Sequence, residues 1–264
     1  MSIAMRIPLI NTAIYSTIKS RLMEQFGGCV EIFIVGGAAL NQETEDFLRK
    51  IKFPITVGYG MTECAPLISF EVPQNFKPGS CGHIIDGMLE ARIESRDPQN
   101  IPGELLIRGE HVMKGYYKNE SATNAVLEDG WLHTGDMCTM AADGTIYIRG
   151  RCKTMILSGS GQNIYPEEIE ERLNNLYMVA ESLVIENNGR LTALVVPDSE
   201  LANAEGVALD NLQEIMDENL KQLNGMVASY EKVANIVIHR EEFVKTPKRS
   251  IKRYLYSAER LNLN

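Results

Sequence analysis

The sequence predicts an α/β fold followed by a small α+β domain, and three observations carry that prediction. A strand, a helix and a strand follow one another near the N-terminus and make a βαβ unit. From Leu67 to Arg149 the texture changes to short apolar runs broken by Gly and Pro, as in a small antiparallel sheet or distorted barrel. Beyond Lys153, helices and strands alternate again in an order suited to a compact α+β domain.

In chain order, Ile14, Ile18, Leu22 and Phe26 recur every four residues and predict an amphipathic helix over about Asn11 to Phe26. Gly27-Gly28 ends it. Glu31–Val35 reads as a buried strand, Gly36-Gly37-Ala38-Ala39-Leu40 as the tight turn leaving it, and Pro54–Val57 as the next strand. The helix between them, Glu43 to Ile51, is expected to bury Phe47, Leu48 and Ile51. One such unit is too little for an open parallel sheet, whose faces both need cover, so the chain is expected to begin in the middle of a fold.

Met88–Glu94, Gly103–Arg108 and Thr145–Arg149 read as strands, with Asp143-Gly144 as a hairpin turn after Cys138-Thr139-Met140. That hairpin would hold Asp136 on one arm and deliver Arg151 and Lys153 off the other. Pro166-Glu167-Glu168 is a strong helix start, and Ile169, Leu173 and Leu176 give that helix its buried stripe. Ser182–Ile185 and Leu191–Val196 form a hairpin through Asn187-Asn188-Gly189. A further helix covers about Asp210 to Leu223, with Leu212, Ile215, Met216, Leu220 and Leu223 inward, and Asn235–His239 is the last strand.

Composition excludes some functions. A net charge of −9 argues against general nucleic-acid binding, which needs a positive surface. Five cysteines without a CxxC pair fit reduced thiols, and four scattered histidines offer no structural zinc site. No apolar run approaches the roughly 20 residues of a membrane span, and no secretory signal opens the chain, so a cytoplasmic location is the default expectation. Gly159-Ser160-Gly161 lacks the third glycine of a dinucleotide loop. Neither a Gly-Lys-Ser/Thr nor a Gly-x-Ser-x-Gly occurs, which removes Walker-type ATPases and hydrolase elbows.

Two stretches carry chemistry. Gly58-Tyr59-Gly60-Met61-Thr62-Glu63 sits at the carboxyl end of a strand, where ligands of α/β sheets bind. Thr62 can donate to a phosphate and Glu63 can hold a divalent cation. In the second, Gly130–Asp136, the acceptor-only carboxylate of Asp136 suits the two hydroxyls of a ribose, and the guanidinium of Arg151 suits a hydroxyl or phosphate beside it. Spacing alone also allows a bare glycine turn and a surface hairpin with solvated charges.

Together these stretches resemble the acyl-adenylate-forming superfamily, in its acyl-CoA synthetase branch. The likeness runs in order through Gly36–Leu40, Gly58–Glu63, Gly103–Gly109, Gly115–Tyr117, Gly130–Asp136, Gly150-Arg151, Lys153 and Ser158–Ile164. It implies that residues 1–152 are the C-terminal part of a large AMP-binding domain and 153–264 a mobile C-terminal lid. It also implies a nucleotide site at Gly37, Ala38, Tyr59, Gly60, Asp136 and Arg151. Thr62 then touches phosphate, Glu63 holds Mg2+, Lys153 is the hinge, and Gly159 and Gly161 border the pantetheine of CoA. Tyr116 and Tyr117 are assigned to packing.

The resemblance implies an AMP-forming ligase that uses ATP, Mg2+ and CoA to activate a fatty acid, in the long-chain branch by the likeness of Val112–Tyr117 and Gly161–Glu170. The family's upstream Ser/Thr/Gly-rich phosphate loop has no counterpart here, so the chain is read as a C-terminal portion, inactive alone. Peripheral membrane contact of the full-length protein and its oligomeric state are left open. Two alternatives stand beside this reading: a carrier-protein-loading adenylating enzyme, and a non-catalytic nucleotide-binding module.

The tail departs from the pattern. Relatives end in Lys-Thr-x-x-Gly-Lys-Ile-x-Arg, whereas this chain reads Lys245-Thr246-Pro247-Lys248-Arg249-Ser250-Ile251-Lys252-Arg253. Ser250 falls on the catalytic lysine, and Lys248 or Lys252 is expected to supply the cation in its place. If the segment is extended, those two lysines and Ser250 line one side.

Overall fold

A computed structural model describes residues 8–37, 40–208, 211–247 and 249–261. The chain divides into two compact units, Met1–Ile148 and Arg149–Asn264.

The first unit opens with α1 (Pro8–Gln25), β1 (Phe33–Val35), α2 (Gln42–Lys50) and β2 (Ile55–Val57). β1 and β2 pair in parallel, Phe33 opposite Ile55 and Val35 opposite Val57, which makes the expected βαβ unit. Asn41 caps α2 by accepting from the Thr44 amide (3.0 Å), and Glu43 with Glu45 places negative charge in the first turn. The core of this layer is Ile51, Phe53 and Ile55, against which Ile18, Leu22, Phe33, Val35 and Leu48 pack.

Two burial expectations fail here. β1 is not buried: side chains alternate across a strand, so Phe33 and Val35 face the core while Ile34, 44% exposed, faces away. Phe47 lies on the outer face of α2 at 43% exposed, and Phe26 is likewise exposed beyond the end of α1. A parallel pair of only two strands leaves one face thinly covered.

β3 (Tyr59–Gly60), β4 (Leu67–Phe70) and β5 (His83–Ile84) form a small antiparallel sheet. It is followed by a curled antiparallel sheet of β6 (Leu89–Glu94), β7 (Gly103–Gly109), β8 (Leu127–Glu128), β9 (Trp131–Met140) and β10 (Ile146–Arg151), in the order β10-β9-β7-β6 with β8 beside β9. A short helix, α3 (Glu120–Asn124), precedes β8. Ile68, Leu105, Ile107, Leu132, Cys138 and Ile146 are the core of this part. The Asp143-Gly144 turn forms as expected: Gly144 N donates to Ala141 O (2.9 Å), and the Asp143 carboxylate accepts from the Thr145 hydroxyl (2.8 Å).

The second unit contains β11 (Ile156–Leu157) and β12 (Asn163–Ile164), an antiparallel pair. α4 (Pro166–Asn174) follows, with proline in its first turn, then β13 (Val179–Asn187) and β14 (Arg190–Pro197). α5 (Ser199–Glu205), absent from the sequence reading, α6 (Asn211–Met226) and β15 (Val233–Ile238) complete it. β13 and β14 are antiparallel through Asn188-Gly189, whose φ values of +52° and +77° are those of a type I′ turn. β15 returns parallel to β14. Ile169, Leu173, Ala193, Val195, Met216 and Leu223 form the core under α4 and α6. Among the described residues no helix is long and apolar enough to cross a membrane.

The tail is not extended. Lys245 and Ile251 form an antiparallel bridge, Thr246 N donates to Ser250 O (2.9 Å) and Arg249 N to Thr246 O (2.8 Å). Arg249 sits at φ +62°, so the chain reverses, and the two-residue periodicity that would align Ser250 with the lysines does not apply. Lys248 lies outside the described residues, as do Ala38 and Asp210.

Candidate functional site

The structure brings together two stretches that lie far apart in sequence. Tyr59, on β3, donates its hydroxyl to Oδ2 of Asp136 on β9 at 2.6 Å. Asp136 is 5% exposed, in the alternating row of β9 that also buries Leu132, Thr134 and Cys138. Burial, reinforced by the Asp136 charge and hydrogen bond, holds the Tyr59 phenol far above its ordinary pKa, so Tyr59 remains a donor. Cys81 is pushed up to about 11, chiefly by burial, with Asp136 and Glu45 adding to it, and its thiol stays neutral.

Gly60 is required sterically: a Cβ there would lie 2.2 Å from the Pro66 carbonyl oxygen. That close approach lets the chain pass from β3 into the single turn Thr62–Cys64, which presents Thr62 and Glu63 at the surface. Tyr116 donates to Oε1 of Glu63 (2.8 Å), and the Met113 amide donates to the Glu63 carbonyl (2.8 Å). Tyr116 is therefore a partner of Glu63 rather than a packing residue, and Tyr117, 88% exposed, packs little. Among the described residues no hydrogen bond reaches the second Glu63 oxygen. A half-buried carboxylate with one oxygen held and one open fits Mg2+, a hard cation that keeps several waters and takes one or two carboxylates. Gly37 stands in the turn after β1 at φ +89°, which favours glycine.

The remaining predicted residues belong to the second unit. Arg151 is exposed at the end of β10, and Lys153 is exposed in the turn that follows, where the Thr154 amide donates to Arg151 O (3.2 Å). Gly159 and Gly161 lie in the loop between β11 and β12, closed by Ser158 N donating to Gln162 O (2.8 Å). Lys252 is half-buried, with its amide on Val244 O (2.8 Å), and among the described residues its ammonium has no ion-pair partner. Lys245 is engaged by Glu181 at 2.6 Å. Arg253 pairs with Glu170 and, at 3.4 Å, with Glu167, both on α4.

Sequence reasoning missed Tyr116, Glu104, Thr134 and Glu170 as working groups. Tyr116 stood within a recognised stretch and was set aside as aromatic packing. Glu170 had no signal, because a buried carboxylate on a helix reads as one more polar residue until its partner is seen. Glu94, Glu104 and His133 bring three ligand-type atoms within 4.8 Å of one another. His133 and the Gly135 amide each engage one Glu104 oxygen and Glu94 pairs with Arg92 at 3.4 Å, so these carboxylates already have protein partners.

Residues 6–117 match the AMP-binding enzyme family. The chain is 33% identical over 217 residues to a 4-coumarate–CoA ligase of Pinus taeda, covering 75% of this chain and 40% of that protein. It is 29% identical over 219 residues to a long-chain-fatty-acid–CoA ligase of Gallus gallus, covering 82% and 28%. Among solved structures, o-succinylbenzoate CoA synthetase of Bacillus subtilis in complex with ATP and magnesium ion superposes with a TM-score of 0.69 at 26% identity, over 90% of this chain and 49% of that one. The same synthetase in complex with its acyl-adenylate intermediate gives a TM-score of 0.70. This chain spans between 28% and 41% of the length of eight curated relatives that it matches. Residues 6–117 thus match the AMP-binding enzyme family, and the chain shares the fold of solved CoA synthetases and adenylation domains.

Proposed function

We propose that the protein carrying this chain is an AMP-forming acyl-CoA ligase, and that the Tyr59–Asp136 hydrogen bond marks its nucleoside site. The observation that carries the reading is that bond: it joins the turn bearing Thr62 and Glu63 to the strand bearing Asp136. Asp136, acceptor-only, takes the ribose hydroxyls beside the half-buried Tyr59 ring, with Gly37, Ala38, Gly60 and Arg151 as further nucleotide contacts. Thr62 donates to phosphate. Glu63 holds Mg2+, which when bound neutralises phosphate charge.

The acyl carboxylate attacks the α-phosphate of ATP, giving acyl-AMP and pyrophosphate. The CoA thiol then displaces AMP. The chain's share of both steps is positioning and charge stabilisation. The second unit acts as the lid, hinged at Lys153, with Gly159 and Gly161 along the pantetheine path. The acid is a long-chain fatty acid, supported by the likeness of Val112–Tyr117 and Gly161–Glu170 to that branch and by the Gallus gallus relative. The Pinus taeda relative favours a hydroxycinnamate instead. Activity of the full-length protein on palmitate against 4-coumarate decides between them, and use of free CoA rather than a carrier domain tests the acceptor. The reaction's small, soluble co-substrates suit a cytoplasmic protein.

Two further results are expected. Calorimetric titration of the 264-residue chain should show at most weak AMP binding and no gain for ATP, because no phosphate loop is present in it. Clearly tighter ATP binding would count against this reading. In the full-length protein, Lys153→Pro should impair thioester formation more than adenylation, since fixing φ restricts the rotation between the two steps. Equal loss in both half-reactions would refute the hinge.

A further inference from the structure

The bulge that aims Asp136 inward is built by one carboxylate. In the β7–β9 pairing Glu104 stands opposite Met137, but the next pair is Leu106 with His133, so Thr134, Gly135 and Asp136 all face Leu105. Extra residues in one strand bend it and re-aim its side chains, a device found beside active sites. Gly135 takes φ +72° to allow it.

The backbone groups released by the bulge are satisfied locally. The Gly135 amide donates to Oε1 of Glu104 at 2.8 Å, and His133 Nδ1 lies 3.0 Å from its Oε2. Glu104 thus grips both ends of the His133–Gly135 tripeptide that leads into Asp136. Thr134 completes the clamp, donating its hydroxyl to Leu105 O (2.7 Å) and accepting from the Asp136 amide (3.1 Å). Removing Glu104 would leave a half-buried amide unpaired and release the turn that holds Asp136 against Tyr59.

We infer that Glu104 is a positioning residue for ribose recognition: it holds the bulge that orients the Asp136 carboxylate toward the two hydroxyls. The inference rests on the reading of Asp136 as the ribose group. It gives Glu104 a functional duty where the sequence showed a strand over Gly103–Arg108.

The test compares AMP with 2′,3′-dideoxy-AMP, titrated by NMR into the full-length protein. Hydrogen bonds to a charged acceptor should make wild type prefer AMP by about tenfold or more. Glu104→Leu should reduce that preference to within about twofold, a ratio that loss of stability alone does not move. Glu104→Gln, whose amide oxygen still accepts from Gly135, should keep most of the preference. Glu104→Asp, too short to grip both ends, should lose it. If the leucine variant fails to fold, the Gln and Asp pair decides. A wild-type preference retained undiminished in the Leu or Asp variant overturns the role of Glu104 while leaving Asp136 intact. No preference in wild type overturns the ribose reading itself, and the inference with it.

Discussion

Replacing Arg253 with methionine should destabilise the second unit by about 3–5 kcal/mol at pH 8, and by clearly less at pH 5. Glu170 is buried, its Oε1 accepts from the Val184 amide at 2.6 Å, and its Oε2 accepts from Arg253. Burial raises its pKa to about 7, against the pull of Arg253 and the Val184 amide. A carboxyl whose folded pKa lies above its unfolded value binds protons more readily in the native state. Its contribution to stability is therefore fully present below about pH 4.5 and is lost as pH rises through about 7. Without Arg253 the uncompensated charge weighs on the fold only where Glu170 is ionised. Urea unfolding of both proteins at the two pH values measures this. An equal penalty at pH 5 and pH 8 would mean that Arg253 acts through packing of its stem, and Glu170→Gln in the Arg253→Met background should otherwise recover most of the loss.

Lys252→Ala in the full-length protein should lower ATP–pyrophosphate exchange by roughly 10²–10³-fold, the cost of losing a preorganised transition-state donor. Ser250 cannot supply the charge expected at its position. Lys245 is held by Glu181, which leaves Lys252 as the described lysine of the turn without an ionic partner. Arg253, the next residue, is clamped to α4, so the backbone that carries Lys252 is anchored. Lys248→Ala and the double variant complete the series. Normal exchange in all three would place the cation elsewhere in the protein.

The expectations that held rest on local chemistry. The Asn188-Gly189 and Asp143-Gly144 turns formed because positive φ at the glycine, and at Asn188, is a property of a few residue types. α4 began at Pro166 because proline suits a first turn whose amides have no partner. Burial was harder to read. Phe26, Ile34 and Phe47 are apolar, and pattern alone sends apolar residues inward; which face of a two-stranded sheet is covered depends on the elements above and below it. The tail failed for a related reason. Its lysines were placed by strand periodicity, but the backbone reversal at Arg249 removes that periodicity.

By itself the sequence determined the longer helices and strands in order, the places of the hairpin turns, and the pair of stretches from Gly58 to Glu63 and from Gly130 to Asp136 in which the candidate site residues are concentrated. These follow from torsional preference and functional-group inventory, which each residue carries wherever it sits. The tertiary structure alone decided that Tyr59 meets Asp136, that Tyr116 holds Glu63, that Glu104 grips the bulge and that Arg253 reaches Glu170. Each of those is a contact between residues 31 to 83 apart in the chain. Such contacts exist only because the packed core fixes strand register and helix face, and no local preference encodes the distance that results.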